Sequence, residues 1–127
     1  PSFVRRILDI QKSGAKSGEI ETGDTSIVRD FVDVRDVVRA YYQLLMQGKT
    51  GEVYNICGEK GVSLADVVKE IADIVGVEIT TRVNPDFVRP GDNQMVIGSA
   101  AKICQDIGWK AEIPLRQTLT DMIEYMR

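Results

Sequence analysis

Val28-Arg29-Asp30-Phe31-Val32-Asp33-Val34-Arg35-Asp36 is the run from which the rest of this 127-residue chain can be read. It leads into an apolar helix and carries an arginine, Arg29, on the approach. Asp33 is a helix-capping residue, because its carboxylate accepts a backbone N–H that the first turn leaves unpaired. Beyond it Val34, Val37, Val38, Tyr41, Tyr42, Leu44, Leu45 and Met46 run to a stop at Gly48. This helix is apolar around much of its circumference, so cover on more than one side is expected. A second arginine motif, Arg89-Pro90-Gly91-Asp92, sits in a loop before the last helices. Guanidinium is a planar, permanently charged fork that grips phosphate oxygens in parallel hydrogen bonds. Two such forks can clamp a diphosphate, and Asp92 can accept hydrogen bonds from a ribose. The pattern points to a nucleotide-sugar site of which this chain holds half.

Working outward, helical and extended patterns alternate. Phe3, Val4, Ile7, Leu8 and Ile10 recur at helical spacing until the polar stretch from Gln11 to Gly18. Glu19 to Glu21 is expected to form a short strand before a turn at Gly23-Asp24. Val53 to Ile56 reads as a short buried strand, followed by a turn at Gly58 and Gly61. Ser63 caps the next helix, with Asp66 in a capping-box-like position. Leu64, Val67, Val68, Ile71, Ile74 and Val75 form its buried stripe, and Gly76 ends it. Val77 to Val83 alternates as a strand does. Met95 to Ile97, a helix from near Ser99 and a closing helix from about Leu115 to Met126 complete the chain.

The length suits one domain with a real core. A net charge of -3 argues against nucleic-acid or membrane-surface binding. No apolar run approaches transmembrane length, and the start does not resemble a signal peptide. The chain opens on Pro1 without an initiator methionine, so a piece of a longer, cytoplasmic protein is expected. Cys57 and Cys104 are expected to be reduced core thiols. Histidine is absent, which removes the commonest general base and metal ligand, and no metal site is expected.

Several catalytic motifs can be excluded. Gly48-Lys49-Thr50 resembles the end of a phosphate-binding loop, but Gln43 stands where that motif needs its first glycine. Gly58 and Gly61 cannot complete a dinucleotide fingerprint, because Ile56 takes the first glycine position. No tyrosine is followed four residues later by lysine: Tyr41, Tyr42 and Tyr54 are followed by Leu45, Met46 and Gly58.

Five segments together carry a family resemblance: Val28 to Val38, Val53-Tyr54-Asn55-Ile56 with Gly58 and Ser63, Arg89 to Asp92, Gly108-Trp109-Lys110 and Ile113-Pro114-Leu115. In this order they resemble the C-terminal part of the extended short-chain dehydrogenases, the nucleotide-sugar epimerase/dehydratase family. Pro1-Ser2-Phe3 and Ser26 to Phe31 are similar to one branch, the GDP-mannose 4,6-dehydratases and GDP-4-keto-6-deoxy-mannose reductases. The resemblance implies an α/β fold, with residues 1–127 as the nucleotide-sugar-binding lobe. An NAD(P)-binding Rossmann domain and the catalytic Thr/Ser, Tyr and Lys would lie before Pro1. Arg29 and Arg89 match the family's diphosphate contacts, Asp92 an acidic residue near the ribose, and Ser2 the approach to the base. The partner implied is a nucleotide sugar, a GDP-sugar by preference, in a parent enzyme that is a homo-oligomer.

Simpler roles exist for each residue. Arg29 and Asp30 can form a surface ion pair, and Asp92 can simply shape the Pro-Gly turn. Arg35 and Asp36 are expected on the exposed side of their helix, and Arg5 and Arg6 in solvent. Trp109 is expected to anchor the core between the last helices, and Tyr54 and Asn55 to end a buried strand. A different class of function also remains: an interaction domain that docks through its apolar helix. With neither a cofactor turn nor an acid-base pair, the purified chain is expected to show no dehydratase, epimerase or reductase turnover. Assays with nucleotide sugars and either nicotinamide cofactor check this, and turnover with contamination excluded overturns it.

Overall fold

A computed structural model describes residues 1–127. Five helices and five short strands follow the alternation read from the sequence. Helix α1 (Ser2–Lys12) buries Val4, Ile7 and Leu8, one stripe at helical spacing. Strand β1 (Ser17–Thr22) pairs in parallel with β4 (Glu78–Val83). Between them lie β2 (Val28–Asp30), α2 (Val34–Gln47), β3 (Gly61–Ser63) and α3 (Leu64–Val75). After β4 come β5 (Met95–Val96), α4 (Ala101–Ile107) and α5 (Leu115–Met126).

Local chemistry sets the ends of α3. Ser63 Oγ accepts the Asp66 N–H at 3.1 Å, and Gly76 closes the helix at φ +82°, a conformation that penalises any Cβ. The stripe Val67, Val68, Ile71 and Val75 meets Val4, Ile7 and Leu8 of α1, Leu119 and Ile123 of α5, and Ile20 of β1. Each such side chain, removed from water, contributes roughly 1.5–3 kcal/mol. A second, smaller cluster joins Ala40 of α2 to Ala100, Ile103 and Trp109. The sheet that concerns function has the order β3-β2-β5, with β2 antiparallel to β3 and parallel to β5.

Four expectations need correction. Val53 to Ile56 forms no strand, because no other strand pairs with it, and Val53 is exposed. Tyr54 is instead held by its side chain: its hydroxyl donates to Asp106 at 2.7 Å, and the Lys102 ammonium lies over its ring. Cys104 is exposed rather than a core thiol, while Cys57 is half-buried. Helix α2 is not covered on several sides. Val34, Val38, Tyr41, Tyr42, Leu45 and Met46 are all exposed, Leu45 at 83%. Asp36, finally, is not on an exposed face but is 2% exposed.

Asp36 is buried because other parts of the chain supply its partners. Its Oδ2 accepts the N–H groups of Glu112 (3.0 Å) and Ile113 (2.9 Å), and its Oδ1 accepts Arg39 Nη2 at 2.9 Å. Its backbone carbonyl accepts the Trp109 indole N–H at 3.1 Å. Burial pushes the Asp36 carboxyl upward. The Ile113 N–H, Arg39 and the Glu112 N–H outweigh that and hold it below the ordinary aspartate value. Asp33, the N-cap of α2, takes Arg35 on both oxygens and the Thr118 hydroxyl of α5 at 2.6 Å. Arg35 holds the Asp33 carboxyl well below the carboxylate range, against an opposing push from burial and with help from Thr118.

Asp36→Ala is expected to cost about 3 kcal/mol, since it leaves two part-buried N–H groups and a guanidinium without their acceptor. Urea unfolding followed by the single tryptophan, Trp109, measures this. The pH dependence has a fixed sign. Asp33 and Asp36 both have depressed values in the folded state, so their contribution is complete above the unfolded aspartate pKa of about 3.9. It is lost as the pH falls below that value toward each folded one. Urea midpoints between pH 6 and pH 2 are expected to fall steeply at the acid end, and less steeply for Asp36→Asn.

Candidate nucleotide-sugar site

The site grows from β2. Its residues alternate, and the partners of Arg29 and Asp30 lie in different parts of the chain. Asp30 Oδ1 accepts the Gly58 N–H at 2.8 Å, and its Oδ2 accepts those of Glu59 (2.9 Å) and Gly98 (3.2 Å). Glu59 is thereby held at φ +62°, a strained value for a residue with a side chain. Its carboxylate in turn accepts the Ala100 N–H at 2.6 Å, where α4 begins.

Arg29 reaches the loop that precedes β5. Its Nη1 donates to the Val28 carbonyl (2.9 Å) and the Asn93 carbonyl (2.8 Å), and its Nη2 donates to Asp92 Oδ1 (2.9 Å). The loop folds over a turn, Arg89-Pro90-Gly91-Asp92, closed by the Asp92 N–H on the Arg89 carbonyl at 3.3 Å. Proline in the second place and Gly91 at φ +76° in the third are the residues a type II turn requires. A second tie runs from Gln94 Nε2 to Ser26 Oγ at 2.6 Å, and the Ser26 hydroxyl donates to Asp24. These bonds to Ser26 hold the Asp24 carboxyl below its ordinary value.

Behind this loop lies a cavity of about 300 Å³ walled by Asp24, Ile27, Leu64, Phe87, Arg89 and Asp92, among others. Two of the residues read from the sequence, Arg89 and Asp92, thus line one cavity. Arg29 is not in its wall but stands behind Asp92, joined to it by the ion pair. Ser2 lies elsewhere, in an adjoining cavity of about 380 Å³ whose wall includes Phe3, Phe31, Asp33, Thr118 and Leu64. Leu64 belongs to both walls, so the two cavities are neighbours. The polar cavity carries two carboxylates and one guanidinium.

Arg35 takes no part. It bridges Asp33 and Asp121 at 2.8 Å and 2.7 Å. Two residues near the site have roles that the sequence does not announce, and Asp30 does not form the expected ion pair with Arg29, which pairs with Asp92. Phe31 is 38% exposed and lines both the Ser2 cavity and a groove with Lys60 and Glu112. Asp30 anchors three loop N–H groups, and only the alternation around Arg29 hints that it faces the other way. The residues present do not fit a dinucleotide. At the junction of β2 and α2, where a pyrophosphate needs glycine and free N–H groups, the Asp33 carboxylate occupies the cap.

Comparison with known proteins agrees with this architecture. The family model described as GDP-mannose 4,6 dehydratase matches residues 2–122. The chain is 37% identical over 118 residues to the GDP-6-deoxy-D-mannose reductase of Pseudomonas aeruginosa, covering 93% of this chain and 38% of that enzyme. It superposes on the structure of RMD from Pseudomonas aeruginosa complexed with NADPH at a TM-score of 0.87 and 34% identity, over 98% of this chain and 40% of that one. UDP-glucose 4-epimerase of Thermotoga maritima with UDP-glucose gives a TM-score of 0.79 at 30% identity, over 98% and 38%. The chain therefore spans about two fifths of the length of these relatives. Its mixed α/β fold corresponds to the C-terminal part of extended short-chain dehydrogenases. With nearly every residue inside the matched region, the chain belongs to the GDP-mannose 4,6 dehydratase family.

Proposed function

We propose that residues 1–127 form the nucleotide-sugar-binding domain of an NAD(P)-dependent dehydratase or reductase of GDP-sugars. On this reading a Rossmann domain outside these residues binds the nicotinamide cofactor and supplies the catalytic Thr/Ser, Tyr and Lys. Arg89 and Arg29 take the diphosphate, Asp92 the ribose, and Ser2 with the aromatic wall of its cavity the base. One observation carries the proposal: Arg29 clips the Arg89-Pro90-Gly91-Asp92 turn onto β2, so the first motif holds in place the second, which lines the cavity through Arg89 and Asp92. The adjoining apolar cavity suits a flat base, since aromatic walls offer area with little entropy lost. The GDP preference is supported by similarity to the Pseudomonas aeruginosa reductase, whose name specifies a GDP-sugar.

A second reading, an interaction domain, is favoured by the open stripe of α2. Exposed apolar area of this size commonly marks a contact surface. The purified chain is therefore expected to self-associate through α2. Light scattering over a dilution series measures it, and Leu45→Glu should return a monomer; a wild-type monomer at all concentrations removes this reading.

Calorimetric titration with GDP-mannose tests the binding site. Arg29→Ala and Arg89→Ala each delete a charge-assisted contact worth about 1.5–3 kcal/mol, roughly ten- to over a hundred-fold in affinity. Arg35→Ala, tied to Asp33 and Asp121, should leave binding nearly intact. Equal losses from all three would show that the cavity does not hold the ligand.

A further inference from the structure

We propose that Asp92 is an internal counter-anion for Arg29, which an incoming diphosphate displaces; this rests on the nucleotide-sugar reading above. Three observations carry it. Arg29 is not in the cavity wall, and its Nη2 is held by Asp92 Oδ1 at 2.9 Å. Asp92 itself is in that wall, together with Arg89 and Asp24. Two carboxylates against one guanidinium give the cavity the wrong sign for an anion. A second cation turned toward it would offset that sign, and Arg29, bonded to the wall residue Asp92, is next to the wall.

The exchange is non-covalent and small. Arg29 Nη1 keeps its bonds to the Val28 and Asn93 carbonyls, which fix the guanidinium beside the loop. Nη2 passes from Asp92 to a phosphate oxygen. Asp92 then faces the cavity as a carboxylate without a donor, close to a bound anion. A ligand that also carries a vicinal diol supplies hydroxyl donors to that carboxylate; a bare diphosphate supplies only repulsion. Asp92 thus acts as a specificity residue, favouring diphosphates joined to a ribose over free diphosphate. The ion pair is partly exposed, at 28% for Arg29 and 37% for Asp92, so the exchange faces no large burial barrier.

Calorimetry with inorganic pyrophosphate and with GDP, on wild type, Asp92→Asn and Asp24→Asn, tests the idea. Wild type is expected to prefer GDP. Asp92→Asn should raise pyrophosphate affinity about two- to five-fold, the scale of an exposed ion pair, and narrow the preference for GDP. Asp24→Asn removes one wall charge without releasing Arg29, because Asp24 is engaged with Ser26. It should change pyrophosphate binding far less. In an Arg29→Gln background the gain from Asp92→Asn should shrink to the small effect of removing a wall charge, as in Asp24→Asn. Unchanged or weaker pyrophosphate binding by Asp92→Asn overturns the proposal, as does an equal gain from Asp24→Asn. A wild type that binds neither ligand overturns the nucleotide-sugar reading itself, whereas one that binds GDP with an unresponsive Asp92→Asn overturns the counter-anion alone.

Discussion

The buried carboxylate of Asp36 is the constraint on which the arrangement of this chain depends. Helix α2 contributes only one wholly buried apolar residue, Ala40, so hydrophobic packing alone does not orient it. Its direction comes from Asp36, which receives the Glu112 and Ile113 N–H groups and binds the Trp109 indole through its carbonyl. A buried carboxylate without partners is costly, so the helix can sit only where those donors are. Asp33, three residues earlier, adds the Thr118 hydroxyl of α5. The two aspartates hold α2 to the C-terminal third of the chain.

Asp30 continues the series on the other side. Together Asp30, Asp33 and Asp36 place one acceptor at each of three successive joints: loop to strand, strand to helix, and helix to the segment before α5. Apolar residues set the spacing of elements, while these carboxylates set their direction. That division suits a site whose walls are loops. Loops bury few side chains, so the Arg89 turn is fixed by Arg29 and by Gln94 on Ser26 rather than by a core.

Much of this was legible in sequence wherever a local rule acted alone. Helix α5 begins at Leu115 and ends at Met126, as its periodicity indicates, and α3 runs between the Ser63 cap and Gly76. Strands β2 and β3 were not legible, because three residues are too few to show an alternation. Val53 to Ile56 has the composition of a strand but lacks a partner here, and a strand exists only through its neighbour. The burial of Asp36 was hidden for a related reason. Its backbone donors lie more than seventy positions away, and no local pattern announces them. Arg29 and Arg89 were found as separate motifs, yet the ion pair that sets Arg29 behind Asp92 appears only in three dimensions.

The same contrast bears on the exchange proposed for Arg29. Backbone acceptors hold the Arg29 guanidinium: the Val28 and Asn93 carbonyls take Nη1. Only the Nη2 contact is to a side chain, and that side chain is on an exposed turn. An exposed ion pair contributes little to folding, so the fold does not depend on which anion Nη2 meets. In the proposed exchange, position is therefore fixed by the backbone bonds and charge is left to the side-chain bond. A buried partner such as that of Asp36 could not serve this purpose, because breaking it would disturb α2 and the segment before α5 together.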